Sequence, residues 1–335
     1  MQKKVFSFFK RFFLSILFPL AIYLVMYFIA RLNGSTIFGL NFDMWRSVLV
    51  STATTSVAAL AIWTQIKNGR FDFSGGSVMV LTAILAGNLS IHYQLSAAAY
   101  LGLCVLIGAV LSTCTGMMYV FGRLPIMICT IGMALLYESI TYLVYDAQGL
   151  NMMSFTSLTY FGRMPGILIV LALAVAVFLI YCYLTVPGRR AKLLAGNQQA
   201  SVNIGIEEKK NVLQTFFMCG ILLGCAGAIF GSNNTVHPQA SLSTAGTLFA
   251  NIIPAYMGVF VGAVSIDALG VVLASLGMAI LNYGLSCIGL GAGGWQQIIV
   301  GGFMLGFYTL TAQWPIWKAK WAKKQRMKAE GTVKP

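Results

Sequence analysis

The stretch PGRRAKLLAGNQQASVNIGIEEKKNVLQ, residues 187–214, is the only sizeable polar segment inside a chain otherwise written in apolar blocks. It carries Arg189, Arg190, Lys192, Lys209 and Lys210 against Glu207 and Glu208. An apolar run of about 20 residues, enough to cross a bilayer, stands on either side of it. The stretch therefore reads as a water-exposed loop between two membrane spans. Inside it Asn197 is placed as an N-cap, residues 198–203 supply the turns of one short helix, and Gly205 is placed as a left-handed C-terminal stop. Leu193, Leu194, Ala200, Val202, Ile204 and Ile206 lie along it. A tether does not need a capped helix with apolar side chains; a docking surface does.

With 335 residues, 58% hydrophobic and 9% charged, the chain is far from a soluble domain, whose charged share is roughly 25%. The expected fold class is an all-α polytopic membrane protein of about ten transmembrane helices forming a single transmembrane domain over residues 1–335. The spans fall at 12–30, 46–66, 78–91, 97–121, 124–145, 166–185, 212–231, 247–264, 267–288 and 295–313. Residues 315–335 form a basic tail with Trp317 and Trp321 at its start. A removable leader does not fit the first span, which is long and lacks an A-x-A site. The third run is short and preceded by Gly75 and Gly76, and the eighth is interrupted by Asn251 and Pro254. The eighth reads as a kinked or broken helix; the third reads either as a broken helix near the midplane, where unwound backbone lines a solute path, or as a slightly buried span behind a tight cytoplasmic turn.

Alternating the spans with the N-terminus inside leaves only Arg31, Arg46 and Arg163 outside, of 22 basic residues. That agrees with the positive-inside rule, places both termini and the 187–214 loop in the cytoplasm, and divides the chain into five plus five spans of opposite orientation. The net charge of +14 is thus a matter of topology, and no nucleic-acid partner is implied; membrane lipid is the surrounding medium. Gly220/Gly224 and Gly227/Gly231 put two GxxxG steps in the seventh span, a close-packing face. Glu138, inside the fifth span, is expected to face the bundle interior or an interface.

The chemistry the sequence lacks narrows the function. It has no phosphate loop of the GxxxxGK[ST] form, no HExxH and no GxSxG. The GLGAGG at 289–294 has no strand before it and is not a dinucleotide motif. The seven cysteines form no CxxC pair and read as small core residues; His92 and His237 sit near the outer edge. No catalytic residue, cofactor or metal site is expected. Eight acidic residues also argue against a carboxylate-driven ion carrier. An energy source outside the chain is needed.

Four segments carry a family resemblance. FDFSGGSVMVLTAILAG (71–87), RLPIMICTIGM (123–133), GRRAKLLAGNQQASVNIGI (188–206) and WQQIIVGGFML (295–305) resemble, in order, segments of the permease subunits of bacterial sugar ABC importers, the ribose permease group. The resemblance implies a multi-pass protein of the bacterial inner membrane that pairs with a second permease, a copy or a paralogue. It implies a cytoplasmic ATP-binding subunit docked on the helix at 196–206 and an extracytoplasmic solute-binding protein delivering cargo. Gly196, Asn197, Ala200, Ile204 and Gly205 are then expected to couple to the ATPase. Asp72, Ser74, Ser77, Asn251, Tyr256 and Asn282 are expected along the path. The solute expected is small and polar, a monosaccharide, moved inward by alternating access. A permease for branched-chain amino acids or nucleosides is the alternative; a membrane enzyme lacks its motifs. AYMGVFVGAVSID (255–267) and TLFANIIPA (247–255) depart from the family's glycine-rich and acidic segments, which points to an unusual solute or to one half of a heterodimer.

Overall fold

The computed structural model describes residues 2–35, 39, 41–291 and 294–331. Twelve α-helices account for most of it: α1 (Gln2–Leu32), α2 (Phe42–Lys67), α3 (Gly75–His92), α4 (Ala97–Gly122), α5 (Ile126–Leu143), α6 (Gly166–Leu179), α7 (Val186–Gly196), α8 (Gln198–Asn203), α9 (Glu208–Asn233), α10 (Thr244–Val264), α11 (Asp267–Cys287) and α12 (Gly294–Gly331). Nine described segments are long and apolar enough to cross a membrane: 15–32 within α1, α2 to α5, α6 with its extension to Leu184, α9, α10 and α11. The expected tenth span, 295–313, occupies the first half of α12, whose polar residues dilute its hydropathy. Of the GLGAGG segment, Ala292 and Gly293 lie outside the described residues, as does Lys334 of the tail.

Neither the third run nor the eighth is broken, and the third takes the alternative form, a short buried span behind a turn. The third is the short helix α3, which begins at Gly75 itself and is largely buried. The eighth, α10, begins at Thr244 and continues through Pro254 without a break. Its N-terminus is fixed from far along the chain by Glu138 of α5. The Glu138 carboxylate accepts from the backbone N–H of Leu242 (2.7 Å), the backbone N–H of Thr244 (2.8 Å) and the Thr244 hydroxyl (2.6 Å). A carboxylate satisfies the unpaired donors and the positive end of a helix N-terminus. The expected inward orientation of Glu138 is observed, at 1% exposure. Glu138→Ala would strand the three donors it holds, the two on Thr244 buried and the one on Leu242 half-buried, at about 1–3 kcal/mol each. The expected result is a loss of at least about 3 kcal/mol, read as a lower melting midpoint of the purified protein in detergent.

The small-residue face of α9 packs where the GxxxG spacing placed it. A Cβ built on Gly220 would meet Gly108 O at 2.5 Å and Ala109 Cα at 2.7 Å, and one on Gly108 would meet Gly224 Cα at 2.8 Å. The backbones of α4 and α9 therefore touch. Ser112 of α4 donates to Phe216 O of α9 across this seam (2.8 Å). The inner helices repeat one pattern: α4 lies on α9 and α3, α11 lies on α2 and α10, α3 meets α9 as α10 meets α2, and α2 meets α9 as α3 meets α10. The outer helices α1, on α11, and α6, on α2, depart from it.

At one end of the bundle the loops on either side close together. Leu150 and Val236 exchange backbone hydrogen bonds (2.8 and 2.9 Å), and Asn88 of α3 donates to Gly149 O (2.8 Å). The cysteine expectation is corrected at one position. Five cysteines are buried and Cys287 is intermediate, but Cys114 is exposed on the apolar outer face.

Candidate functional site

The 187–214 segment is built as a rigid base carrying an exposed tip. Its helix α8 has the expected bounds, 198–203, and the expected signals: Asn197 Oδ1 accepts from the backbone N–H of Ala200 (3.0 Å), and Gly205 adopts φ +88°. The Ile206 N–H returns to Ser201 O (3.1 Å), closing the C-terminus across the left-handed glycine. A second helix, α7, precedes it where only loop was expected. Thr185 caps α7, accepting from Gly188 N (3.3 Å), and Pro187 sits in its first turn, where its missing N–H costs nothing.

The base is anchored to the bundle by polar contacts. Asn211 of α9 donates to Pro187 O (2.8 Å), and the hydroxyls of Tyr181 and Thr215 lie 2.9 Å apart. On α8 and its flanks, Ser201 and Ile206 are buried. Ala200 is exposed, and so are three larger apolar side chains: Leu193 (53%), Val202 (45%) and Ile204 (72%). Gly196 ends α7, and a Cβ there would meet nothing within 4 Å. The five expected coupling residues thus lie together on one protruding element.

Two residues that the sequence did not single out tie this tip to the bundle interior. Glu208, the first residue of α9, accepts through Oε1 from Gln198 Nε2 of α8 (2.8 Å). The same Oε1 lies 3.8 Å from the guanidinium of Arg70, which is itself buried, in the turn between α2 and α3. Burial works against the Arg70 charge, and nearby Tyr119 and Glu208 offset it. Glu208→Gln keeps an acceptor for Gln198 but removes the counter-charge of a buried guanidinium. We expect it to lower stability by at least about 1 kcal/mol, and the exchange Arg70→Glu with Glu208→Arg to restore part of the melting midpoint.

Three of the six expected path residues sit together in that same turn and the start of α3. Asp72 Oδ1 accepts from the Ser74 backbone N–H (2.8 Å) and hydroxyl (2.7 Å), and Ser77 donates to Ser74 O (2.9 Å). Ser74 Oγ also lies 3.4 Å from Thr115 Oγ1, which is 3.3 Å from the Tyr137 hydroxyl. Burial raises the Asp72 carboxyl above its usual range, against the pull of its Ser74 hydrogen bonds. The other three are held by different elements. Asn251 donates to Thr247 O within α10 (2.8 Å), and Tyr256 packs edge-on to Tyr308 of α12. Asn282 of α11 accepts from Gln296 of α12 (3.2 Å). These six residues form no single cluster.

The family model described as branched-chain amino acid transport system / permease component matches residues 44–308. Among curated proteins, the chain is 25% identical over 267 residues to the ribose import permease of Escherichia coli (strain K12), covering 76% of this chain and 80% of that one. It is 24% identical over 269 residues to the D-allose transport system permease of the same strain, covering 78% and 81%. The ribose import permease of Bacillus subtilis (strain 168) matches at 25% over 298 residues, covering 85% and 88%. No solved structure matches the chain significantly.

Proposed function

The chain belongs to the family of branched-chain amino acid transport system permease components and is a ribose-permease-like ABC sugar permease of the bacterial inner membrane; from that premise we propose that it carries a monosaccharide inward by alternating access, driven by a separate ATP-binding subunit. The observation that carries the proposal is the α7–α8 element. It is stiffly based, capped at both ends of α8, and ends in apolar side chains that stay exposed among the described residues. A helix of this kind suits a groove on a soluble partner. Gly196 and Gly205 bound the tip, Asn197 caps it, Ala200 is small enough to enter a groove, and Ile204 supplies apolar area.

The remaining parts of the assembly follow from the same reading. The termini and the 187–214 segment lie in the cytoplasm, the Leu150–Val236 end faces outward to receive a solute-binding protein, and a second permease, copy or paralogue, completes the pore. The pattern of inner-helix contacts supports an inverted five-plus-five repeat, because exchanging α2, α3 and α4 for α9, α10 and α11 reproduces it. Asp72, Ser74, Ser77 and Asn251 then stand where the halves meet; Tyr256 and Asn282 line the α10–α12 side.

Deleting the chain from its native host tests the solute class. Saturable uptake of D-ribose, D-allose or a similar monosaccharide should disappear and return with the gene. The family model's description favours one second reading, branched-chain amino acids. Unchanged uptake across monosaccharides with loss of leucine uptake would install it.

A further inference from the structure

Gln65, in the last turn of α2, is 1% exposed, yet neither its amide nitrogen nor its amide oxygen makes a hydrogen bond of ordinary geometry, and the one polar group facing it from α9 is the weakly bonding Cys219 thiol. Such a group is costly to bury, and native interiors leave few of them without a ligand or water. The second oxygen of Asp72 is in the same position: Oδ1 is held by Ser74, while Oδ2 is buried and unpartnered. Both residues line one small pocket of ≈ 10 Å³, walled by Phe71, Cys219, Leu223 and Ile252. Space for one oxygen thus adjoins one amide and one carboxylate oxygen.

The chemistry of these groups defines the occupant. An amide N–H offers a donor, the amide oxygen and the carboxylate oxygen offer acceptors, and the rest of the wall is apolar. A hydroxyl satisfies two of the three, accepting from Nε2 and donating to the carboxylate, and a water, with two O–H donors, satisfies all three. An anion is repelled by Asp72, and an apolar group leaves all three atoms stranded. The cavity also lies where α2, the α2–α3 turn, α9 and α10 converge, between the two sets of inner helices. Phe71 beside it suits the C–H face of a sugar ring. We propose that Gln65 and Asp72 form a docking point for a single hydroxyl group, filled by water between turnovers and by a hydroxyl of the polyhydroxyl solute in transit. This rests on the importer reading and extends it by naming Gln65 as a solute-contacting residue.

The test uses the native host with chromosomal variants Gln65→Met, which keeps length without polarity, and Gln65→Asn, which keeps the amide but shortens it. Uptake of labelled D-ribose and D-allose, membrane level of the chain, retention of the ATP-binding subunit and melting midpoint are measured for each. The expected result is at least a tenfold loss of uptake for Gln65→Met, with normal level and normal ATPase retention. Gln65→Asn should show a smaller loss, carried by KM. Uptake by Gln65→Met at the wild-type rate would overturn the proposal. So would a change in melting midpoint with KM unchanged in both variants, which assigns the cavity to water alone. If Gln65→Met does not accumulate, a wild-type KM for Gln65→Asn overturns it. Failure of the wild-type chain to support uptake of either sugar would instead strike the sugar-importer reading, whatever the variants do.

Discussion

Gly220→Leu is expected to prevent the chain from accumulating in the membrane. The backbone of α4 already lies against this position, with Gly108 O 2.5 Å and Ala109 Cα 2.7 Å from where a Cβ would be. Both are main-chain atoms, so no side-chain rotation makes room. Leucine would have to force α4 off α9, which breaks the Ser112 to Phe216 hydrogen bond and the packing of Cys104 and Tyr100 behind it. Overpacking in a well-filled interior costs about 1–3 kcal/mol when neighbours can yield and more when they cannot. The measurement is the amount of tagged protein in washed membranes, compared with Gly246→Leu, a site where an added Cβ meets nothing within 4 Å. Normal accumulation of Gly220→Leu would mean that α4 and α9 are not in backbone contact.

Ala200→Glu is expected to abolish solute uptake while leaving the chain folded and at its normal level. Ala200 is exposed on α8, and its side chain takes no part in the cap, which uses only its backbone N–H. A surface substitution of that kind changes stability by within about 0.5 kcal/mol. At an interface the effect is different. A glutamate placed in the middle of a buried contact brings an unpaired charge with it, and central interface positions carry most of the binding free energy. The expected outcome is an uptake rate at least about a hundredfold lower, equivalent to about 2.7 kcal/mol of lost coupling, with an unchanged melting midpoint. Wild-type uptake in this variant would remove α8 from the coupling role.

The α8 tip was legible because its signals are local. Asn197, Gly205 and the six residues between cap and turn act within one stretch, and each does what its type does in a short helix. The GxxxG face was legible for the same reason, since its spacing alone puts the glycines on one side of α9. What the sequence did not disclose depends on partners far apart in the chain. The start of α10 is set by Glu138, 106 residues before Thr244, and no local pattern encodes that pairing. The Arg70–Glu208 contact and the Gln65–Asp72 cavity have the same character. Pro254 misled in the other direction: it suggests a break, yet neighbouring helices hold α10 continuous. Helix α7 had a readable signal, a threonine cap with proline in the first turn, that the polar composition around it masked.

The central claim is that this chain works as one subunit of an ATP-driven assembly, gripped through α8. Its most direct test is purification of the tagged chain from its native host in mild detergent, with mass spectrometry of what accompanies it. The account predicts an ATP-binding subunit with the wild-type chain, either alone or with a paralogous permease, and loss of that subunit from Ala200→Glu. Recovery of the wild-type chain without any ATP-binding protein, under conditions that keep other membrane complexes intact, would contradict it.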